Sequence, residues 1–480
     1  MIPLLLACTR APAPPAELPG PDLLVYTVDT LRHDRLGFAG HADAQTPHMD
    51  ALATRGVVFE QATTPFPRTT PALASMLTGL RPAHHGSLEV GQPITHGTVL
   101  AHRLQQLGWA TLGLSGTPVA GAEQGLDAGF QVFVSQEDPR ASALVERALS
   151  ELRAQDPEQP VMMWVHVVDP HFPYLPPDAS EGPCKELGWA VKEGRIKRAA
   201  LFVDHQHKAS AALDHCLELY DGEVTEADTA LGDLLAGFEA AGRDPIVVLS
   251  SDHGEHFGEG GLYFEHGPRV DDAVVRVPLV VAGPGVRAGR DAGVARLEDI
   301  AATLLGRAGI QDVALDGVDL WPRLSEGVSA SPDLEAWVLS GSALHNLLVD
   351  FVVSGRQGRR VCHHGTEWTR CVGKNRAPSF FHHAVDPLLK SAATPSEETR
   401  VLLESQAQRW PVGQARQVLV RTPSAQLRAL PQIEGGFARE GDQALTASLD
   451  RLAAELEVPT WVSSQEAEVI EGLKAMGYVE

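Results

Sequence analysis

Basic residues are scarce in this chain: 39 Lys and Arg stand against 62 Asp and Glu, for a formal net charge of -23. A general nucleic-acid or anionic-membrane binder wants basic surface, so this balance argues against both, and an anionic substrate must be drawn by a local positive site. No stretch supplies the roughly 18 continuous apolar residues of a transmembrane helix, so anchoring to a membrane would rest on a lipid alone. There is no internal repeat, and the one biased segment is Pro/Ala-rich and N-terminal. What is present is a large folding chain: 480 residues, 44% hydrophobic and 21% charged, exceed what one core usually organises. A main domain with a smaller companion is the natural expectation.

Residues 1–20, MIPLLLACTRAPAPPAELPG, read as address and tether. A short apolar run ending in Leu-Leu-Ala-Cys resembles a bacterial lipoprotein signal in which Cys8 carries the lipid, and the Pro/Ala stretch suits an extended linker. That reading places the chain in the bacterial periplasm or cell envelope, membrane contact being made only through Cys8; a frayed cytoplasmic N-terminus is the alternative. Four further cysteines suit an oxidising compartment: Cys362 and Cys371 bracket VCHHGTEWTRC, whose central Gly365 suggests a hairpin that a disulfide would staple, and Cys184 with Cys216 would form the second pair. A metal site at Cys362, His363, His364 and Cys371 lacks the usual paired zinc-ligand spacing, and four buried thiols are the remaining option.

From Pro21 to Leu324, strand-like apolar runs alternate with Ala/Leu-rich helical stretches such as Ala141 to Gln155 and Glu223 to Ala241, the pattern of a doubly wound α/β sheet. Leu23 to Thr30, Pro160 to Val168, Ile246 to Ser250 and Val277 to Ala282 are the expected strands. The first ends in Asp29 and the third in Asp252 and His253, and in open α/β sheets function collects beyond the carboxyl ends of strands. PFPRTTPALASMLTG reads as a hydroxyl mounted on a helix start, with Thr70 as N-cap, Pro71 as first helical residue and Gly79 as stop. Thr69 would then sit where unpaired N–H groups and the helix macrodipole favour an anion. Residues 183 to 215 form a polar insertion, a solvated loop or a substrate-side lid, and Tyr220, Asp221 and Gly222 look like a helix start. Beyond Ser329 antiparallel strands are expected, closed by a helix from Gln465 to Met476.

These pieces, in this order, resemble the sulfatase family of the alkaline phosphatase superfamily. The likeness is carried by VDTLRHDRLG, TPHMDALATRGVVFEQATT, TTPALASMLTGLRPAHHG, GLDAGFQVF, WVHVVDPHFPY, LYDGEVTEAD, SSDHGEHFGEGGLYFEHGP and RVPLVVAGPG, from about Asp22 to Ile310. It implies an α/β fold, a doubly wound, mostly parallel sheet sandwiched by helices, with a smaller C-terminal α+β subdomain. The expected divisions are 1–20 for signal and tether, 21–328 for the catalytic domain and 329–480 for the subdomain.

The resemblance also implies chemistry. Asp29, Asp252 and His253 match the family's metal-binding positions, with Thr69 completing the set, and a carboxylate-rich site suits one hard divalent ion. Calcium is the family expectation, and Thr30 in place of the usual second Asp leaves magnesium, manganese or zinc open. Thr69 stands at the nucleophile, where sulfatases carry a Cys or Ser oxidised to formylglycine. Threonine cannot yield that aldehyde, which tilts the expectation toward phosphatase or phosphodiesterase chemistry with a covalent intermediate, within the broader class of sulfuric or phosphoric ester hydrolases. The family's Arg four residues after the nucleophile is Leu73 here and the expected Lys is Gly116; Arg68 offers a compensating charge or is a solvated loop residue. His171 and His266 fall at or near positions that contact substrate or protonate the leaving oxygen. The substrate would be a small-molecule or glycan ester; a non-catalytic binder of sulfated or phosphorylated glycans and a phosphoryl transferase are the other readings. One metal is expected rather than two, although Asp29 with His33 and Asp252 with His256 have the spacing of a second site.

Overall fold

The structure, a computed structural model, describes residues 20–193, 195, 206–259, 262–267, 272–310 and 313–326, and strands at 336–339, 360–364, 368–373, 379–382, 418–421, 426–431 and 437–441. Cys8 and the segment from Gln465 to Met476 lie outside the described residues.

Apolar runs long enough to be buried on both faces build one mixed sheet. Its strands are β1 (Leu23–Val28), β2 (Gly56–Thr63), β3 (Ala110–Ser115), β4 (Val132–Ser135), β5 (Val161–Val167), β6 (Ile246–Ser251), β7 (Leu279–Ala282) and β8 (Gly289–Arg296). Their order is β4-β3-β5-β1-β6-β7-β2-β8. Only β7 runs against its neighbours β6 and β2; the other pairings are parallel. Parallel strands need covered faces, and β1 shows both: Leu23 and Val25 join one apolar core, Leu24, Tyr26 and Val28 the other. Each such buried aliphatic side chain contributes about 1.5–3 kcal/mol relative to exposure.

The helices that supply those faces are α1 (Pro47–Arg55), α2 (Thr69–Thr78), α3 (Pro82–His85), α4 (Leu100–Gln106), α5 (Ala141–Arg153), α6 (Pro183–Lys192), α7 (Gln206–Ala211), α8 (Leu213–Ala240), α9 (Asp272–Val275), α10 (Leu297–Arg307) and α11 (Trp321–Ser325). Residues of α1, α5 and α8 fill one core, and those of α2, α4 and α10 the other. Among the described residues no helix is long and apolar enough to cross a membrane.

Two local expectations change. Tyr220, Asp221 and Gly222 lie inside α8, which starts seven residues earlier in the chain at Leu213; Gly222 is there because a Cβ would approach the Pro176 ring at 3.0 Å, not because the helix begins. The insertion at 183–215 is helical where described, as α6 and α7, and a Cys184–Cys216 disulfide ties α6 to α8, so that pairing is as expected.

The later strands form two antiparallel sheets, as the sequence pattern beyond Ser329 requires. One is β9 (Ala336–Leu339) with β13 (Val418–Arg421), β14 (Gln426–Pro431) and β15 (Phe437–Gly441); the other is β10 (Arg360–His364), β11 (Trp368–Gly373) and β12 (Ser379–His382). The expected hairpin pairs β10 with β11 and sets Cys362 opposite Cys371.

Candidate active site

β1 and β6 are hydrogen-bonded neighbours with Val28 opposite Ser251, so the next residue on each strand, Asp29 and Asp252, emerges side by side. The turn after β1 is held tightly. Thr30, at φ 55, donates its N–H to Asp252 Oδ1 at 3.2 Å, and its hydroxyl donates to the Pro170 carbonyl at 3.2 Å. The Tyr220 hydroxyl donates to the Thr30 carbonyl at 2.8 Å and accepts the Arg32 N–H at 2.9 Å. Thr30 therefore spends its side chain on positioning, where a second Asp would have added a charge.

His253 is oriented by its own backbone. Nδ1 lies 3.0 Å from the Gly254 carbonyl, which can only accept, so Nδ1 carries the proton and Nε2 is turned to the cluster. Nε2 stands 3.2 Å from Asp252 Oδ2, 3.9 Å from Asp29 Oδ1 and 3.4 Å from the Thr69 hydroxyl. One ligand atom from each of Asp29, Asp252 and His253 falls within 4.8 Å of the others, and all three residues are buried. Asp29 Oδ1 and Asp252 Oδ2 are buried without a hydrogen-bond partner. Two such carboxylate oxygens are costly unless a cation meets them, so the donor set fits a hard divalent ion. Burial alone would raise the Asp29 carboxyl, but the adjacent His166 imidazole and the charges of His171 and His253 hold it down to about 2. Burial would lower His253, yet Asp252 and Asp29 push it up to about 9. The two shifts are the two sides of one attraction, between the carboxylates and the imidazoles packed against them.

Thr69 enters from the side on α2. The helix begins two residues earlier than the capping pattern predicts: Arg68 is the N-cap, without a side-chain cap, and Thr69 is the first helical residue, only 4% exposed. Thr70 is drawn away from capping by tertiary partners, donating its hydroxyl to the Val119 carbonyl at 2.7 Å and accepting the Gly91 N–H at 2.8 Å. Gly79 ends the helix at φ 72, as expected. Beyond it, His85 Nδ1 accepts the Ser87 N–H and its Nε2 lies 2.9 Å from the Ser75 hydroxyl; burial lowers this imidazole to about 3, so it stays neutral and serves the helix.

The other expected residues crowd the same place. The His266 ring stacks on His253 with centroids 4.0 Å apart, and His171 meets His266 edge-on at 5.6 Å. Arg68 is buried, with Nε 3.4 Å from Glu89 Oε1, and its Nε and Nη2 make no hydrogen bond. Gly267, at φ 101, lies so close that a Cβ would stand 2.4 Å from that Nε. The structure thus brings Asp29, Asp252, His253 and Thr69 together, and sets His266, His171 and Arg68 beside them. Leu73 is sealed in the apolar core, and a Cβ on Gly116 would meet Val168 at 2.9 Å, so neither position holds a replacement cation. His33 and His256 are otherwise engaged: His33 packs edge-on against Phe38 and His256 Nδ1 meets the Glu265 carbonyl at 2.8 Å. Among the described residues the cation cluster is the single one formed by Asp29, Asp252 and His253.

One residue beside the cluster escapes sequence reasoning. His166 lies in β5, opposite Thr27 of β1, with Nε2 3.7 Å from Asp29 Oδ2 and without a hydrogen-bond partner. Its Nδ1 is 3.0 Å from the Thr27 hydroxyl, which also accepts the Trp164 indole N–H at 3.0 Å. The available signal was an imidazole inside VMMWVHV, a polar ring in an otherwise apolar buried strand.

The structure is that of an α/β protein with a mixed, mostly parallel sheet and an acidic cluster, able to hold a cation, beyond the ends of its central strands. The sulfatase family model matches residues 21–310, and the chain belongs to that family. It is similar to an ulvan-active sulfatase from Formosa agariphila, 28% identical over 358 residues that cover 67% of this chain and 68% of the relative. A solved protein in complex with its substrate D-glucosamine-2-N,6-O-disulfate superposes with a TM-score of 0.56 at 17% identity, over 81% of this chain and 97% of that one. The phosphonate monoester hydrolase of Agrobacterium radiobacter does so with a TM-score of 0.53 at 20% identity, over 81% and 94%. At these identities the two structures establish a shared fold.

Proposed function

We propose that the protein is a metal-dependent hydrolase of sulfate or phosphate-type esters in which Thr69 is the nucleophile. The observation that carries this reading is the Thr69 hydroxyl 3.4 Å from His253 Nε2, inside a group of buried acids with unsatisfied oxygens. Asp29, Asp252 and His253 would hold one divalent ion; calcium is the family expectation, and magnesium, manganese and zinc suit the same donors. When bound, such an ion withdraws charge from the ester and eases ionisation of a nearby hydroxyl. Thr69 Oγ1 loses its proton to solvent and forms a bond to phosphorus or sulfur as the bond to the alcohol breaks. His171 or His266 delivers a proton to the departing oxygen, a role that suits an imidazole near neutral pH. Water then cleaves the Thr69 ester, releasing the sulfate, phosphate, phosphomonoester or phosphonate that corresponds to the group transferred and restoring the hydroxyl. Sulfatase and phosphonate monoester hydrolase relatives support both ester classes.

A second reading rests on Leu73 and Gly116: with these charged positions lost, the fold would bind a sulfated or phosphorylated glycan without cleaving it. One experiment separates them. Protein stripped by chelator and reloaded with each candidate ion is assayed on phosphomonoester, phosphodiester, phosphonate and sulfate panels; ion-dependent release of alcohol is expected. Tight glycan binding with no turnover under any ion would instead establish the binder.

A further inference from the structure

Two structural arginine pairs in this protein close fully. Arg323 donates Nε and Nη2 to the two oxygens of Asp291 at 2.7 and 2.6 Å, and Arg296 reaches Asp299 through Nη2 at 2.6 Å. Arg68 does not. Its Nε is 3.4 Å from Glu89 Oε1, its Nε and Nη2 make no hydrogen bond although buried, and Glu89 Oε2 is likewise buried without one. The pair is close enough for charge to cancel and too open to use up the donors, which leaves the guanidinium able to grip an anion. Glu89 is also held in place: the Val90 N–H donates to its Oε1 at 3.2 Å, and Gly91 is tied to Thr70 of α2 at 2.8 Å. On the far side, Gly267 lets the guanidinium lie against the residue that follows His266.

The charges then balance. A divalent ion held by Asp29 and Asp252 is matched by those two carboxylates, and Arg68, the cation beside Thr69, is matched by Glu89. We propose that Glu89, acting through Arg68, selects esters bearing one negative charge, namely sulfate monoesters, phosphodiesters and phosphonate monoesters, over dianionic phosphate monoesters. This rests on the hydrolase reading for its chemistry, though not for its binding. A carboxylate paired with the guanidinium that grips an oxyanion works against that anion's second negative charge, by on the order of tenfold in affinity at the effective dielectric of a partly buried site.

The test uses methyl sulfate and methyl phosphate, similar in shape and differing by one charge at pH 8.5, titrated calorimetrically into ion-loaded full-length Thr69→Ala protein and into the same protein carrying Glu89→Gln. Methyl sulfate is expected to bind more tightly to the first; Glu89→Gln should raise methyl phosphate affinity about tenfold and leave methyl sulfate within about threefold. Arg68→Gln should weaken both anions. Equal gains for both anions in Glu89→Gln, an initial preference for methyl phosphate, or unchanged binding in Arg68→Gln would each overturn the proposal. In parallel, the Thr69-intact proteins are assayed on 4-nitrophenyl sulfate and 4-nitrophenyl phosphate. Absent turnover with the charge selectivity intact removes the hydrolase reading and leaves Glu89 in its role; turnover whose sulfate-to-phosphate ratio ignores Glu89→Gln does the reverse.

Discussion

Asp29, Asp252 and His253 stand at the ends of two hydrogen-bonded strands, where Val28 lies opposite Ser251 and the backbone register sets the acids side by side. Arg68, Thr69 and Glu89 hang instead on a helix start and a loop, joined to that half through the 3.4 Å contact of Thr69 with His253 and the stacking of His266 on His253. The strand-borne half carries Asp29, Asp252 and His253, the residues that could hold a metal ion. Thr69 and Leu73, where the resemblance implies other residues, lie on α2, and Gly116, where it implies a lysine, directly follows strand β3. A sheet register is costly to change because a slip displaces every side chain, whereas a loop or helix start tolerates new side chains locally. The difference suggests that cation binding and anion selection are separable in this molecule.

Substitutions at three positions break or sharpen that division. The largest effect is expected from Thr69→Ala, which should lower turnover by on the order of a thousandfold or more while the ion still raises the melting temperature; preserved turnover would take Thr69 out of the chemistry. Next, Leu73→Ala should cost about 2–5 kcal/mol of stability, read by denaturant unfolding, with anion affinity unchanged, because Leu73 is a core residue. A change in affinity would extend the anion site onto that face of α2. The smallest effect should come from His166→Phe, which removes the ring nitrogen beside Asp29 and should weaken ion affinity by about 10–100-fold, seen as a smaller ion-induced melting shift. His166→Gln should recover part of it; equal loss in both would make His166 a packing residue only.

How much of this was legible depended on whether the signal was local. The strand ends were readable because LLVYTV and IVVLSS are unbroken apolar runs that stop at an acid, and a buried strand has little other reason to do so. The start of α2 was read two residues late, since Thr70 is a good cap by composition but is claimed by Val119 and Gly91, which are distant in sequence. The start of α8 was misplaced because Gly222 looks like punctuation, whereas it makes room for Pro176. His166 was passed over because its importance lies in a neighbour across the sheet, and Glu89 for the same reason across a loop. In each miss the deciding partner came from another part of the chain.

Gly267 narrows the routes by which this site can change. Its left-handed backbone and the Arg68 guanidinium that fills the volume of a methyl group make the position doubly intolerant. With 267 closed to side chains, positions 68 and 89 are the ones left to vary in the selection proposed above, and a single alanine at 267 offers the protein engineer a compact way to displace the arginine without touching an acid or the threonine.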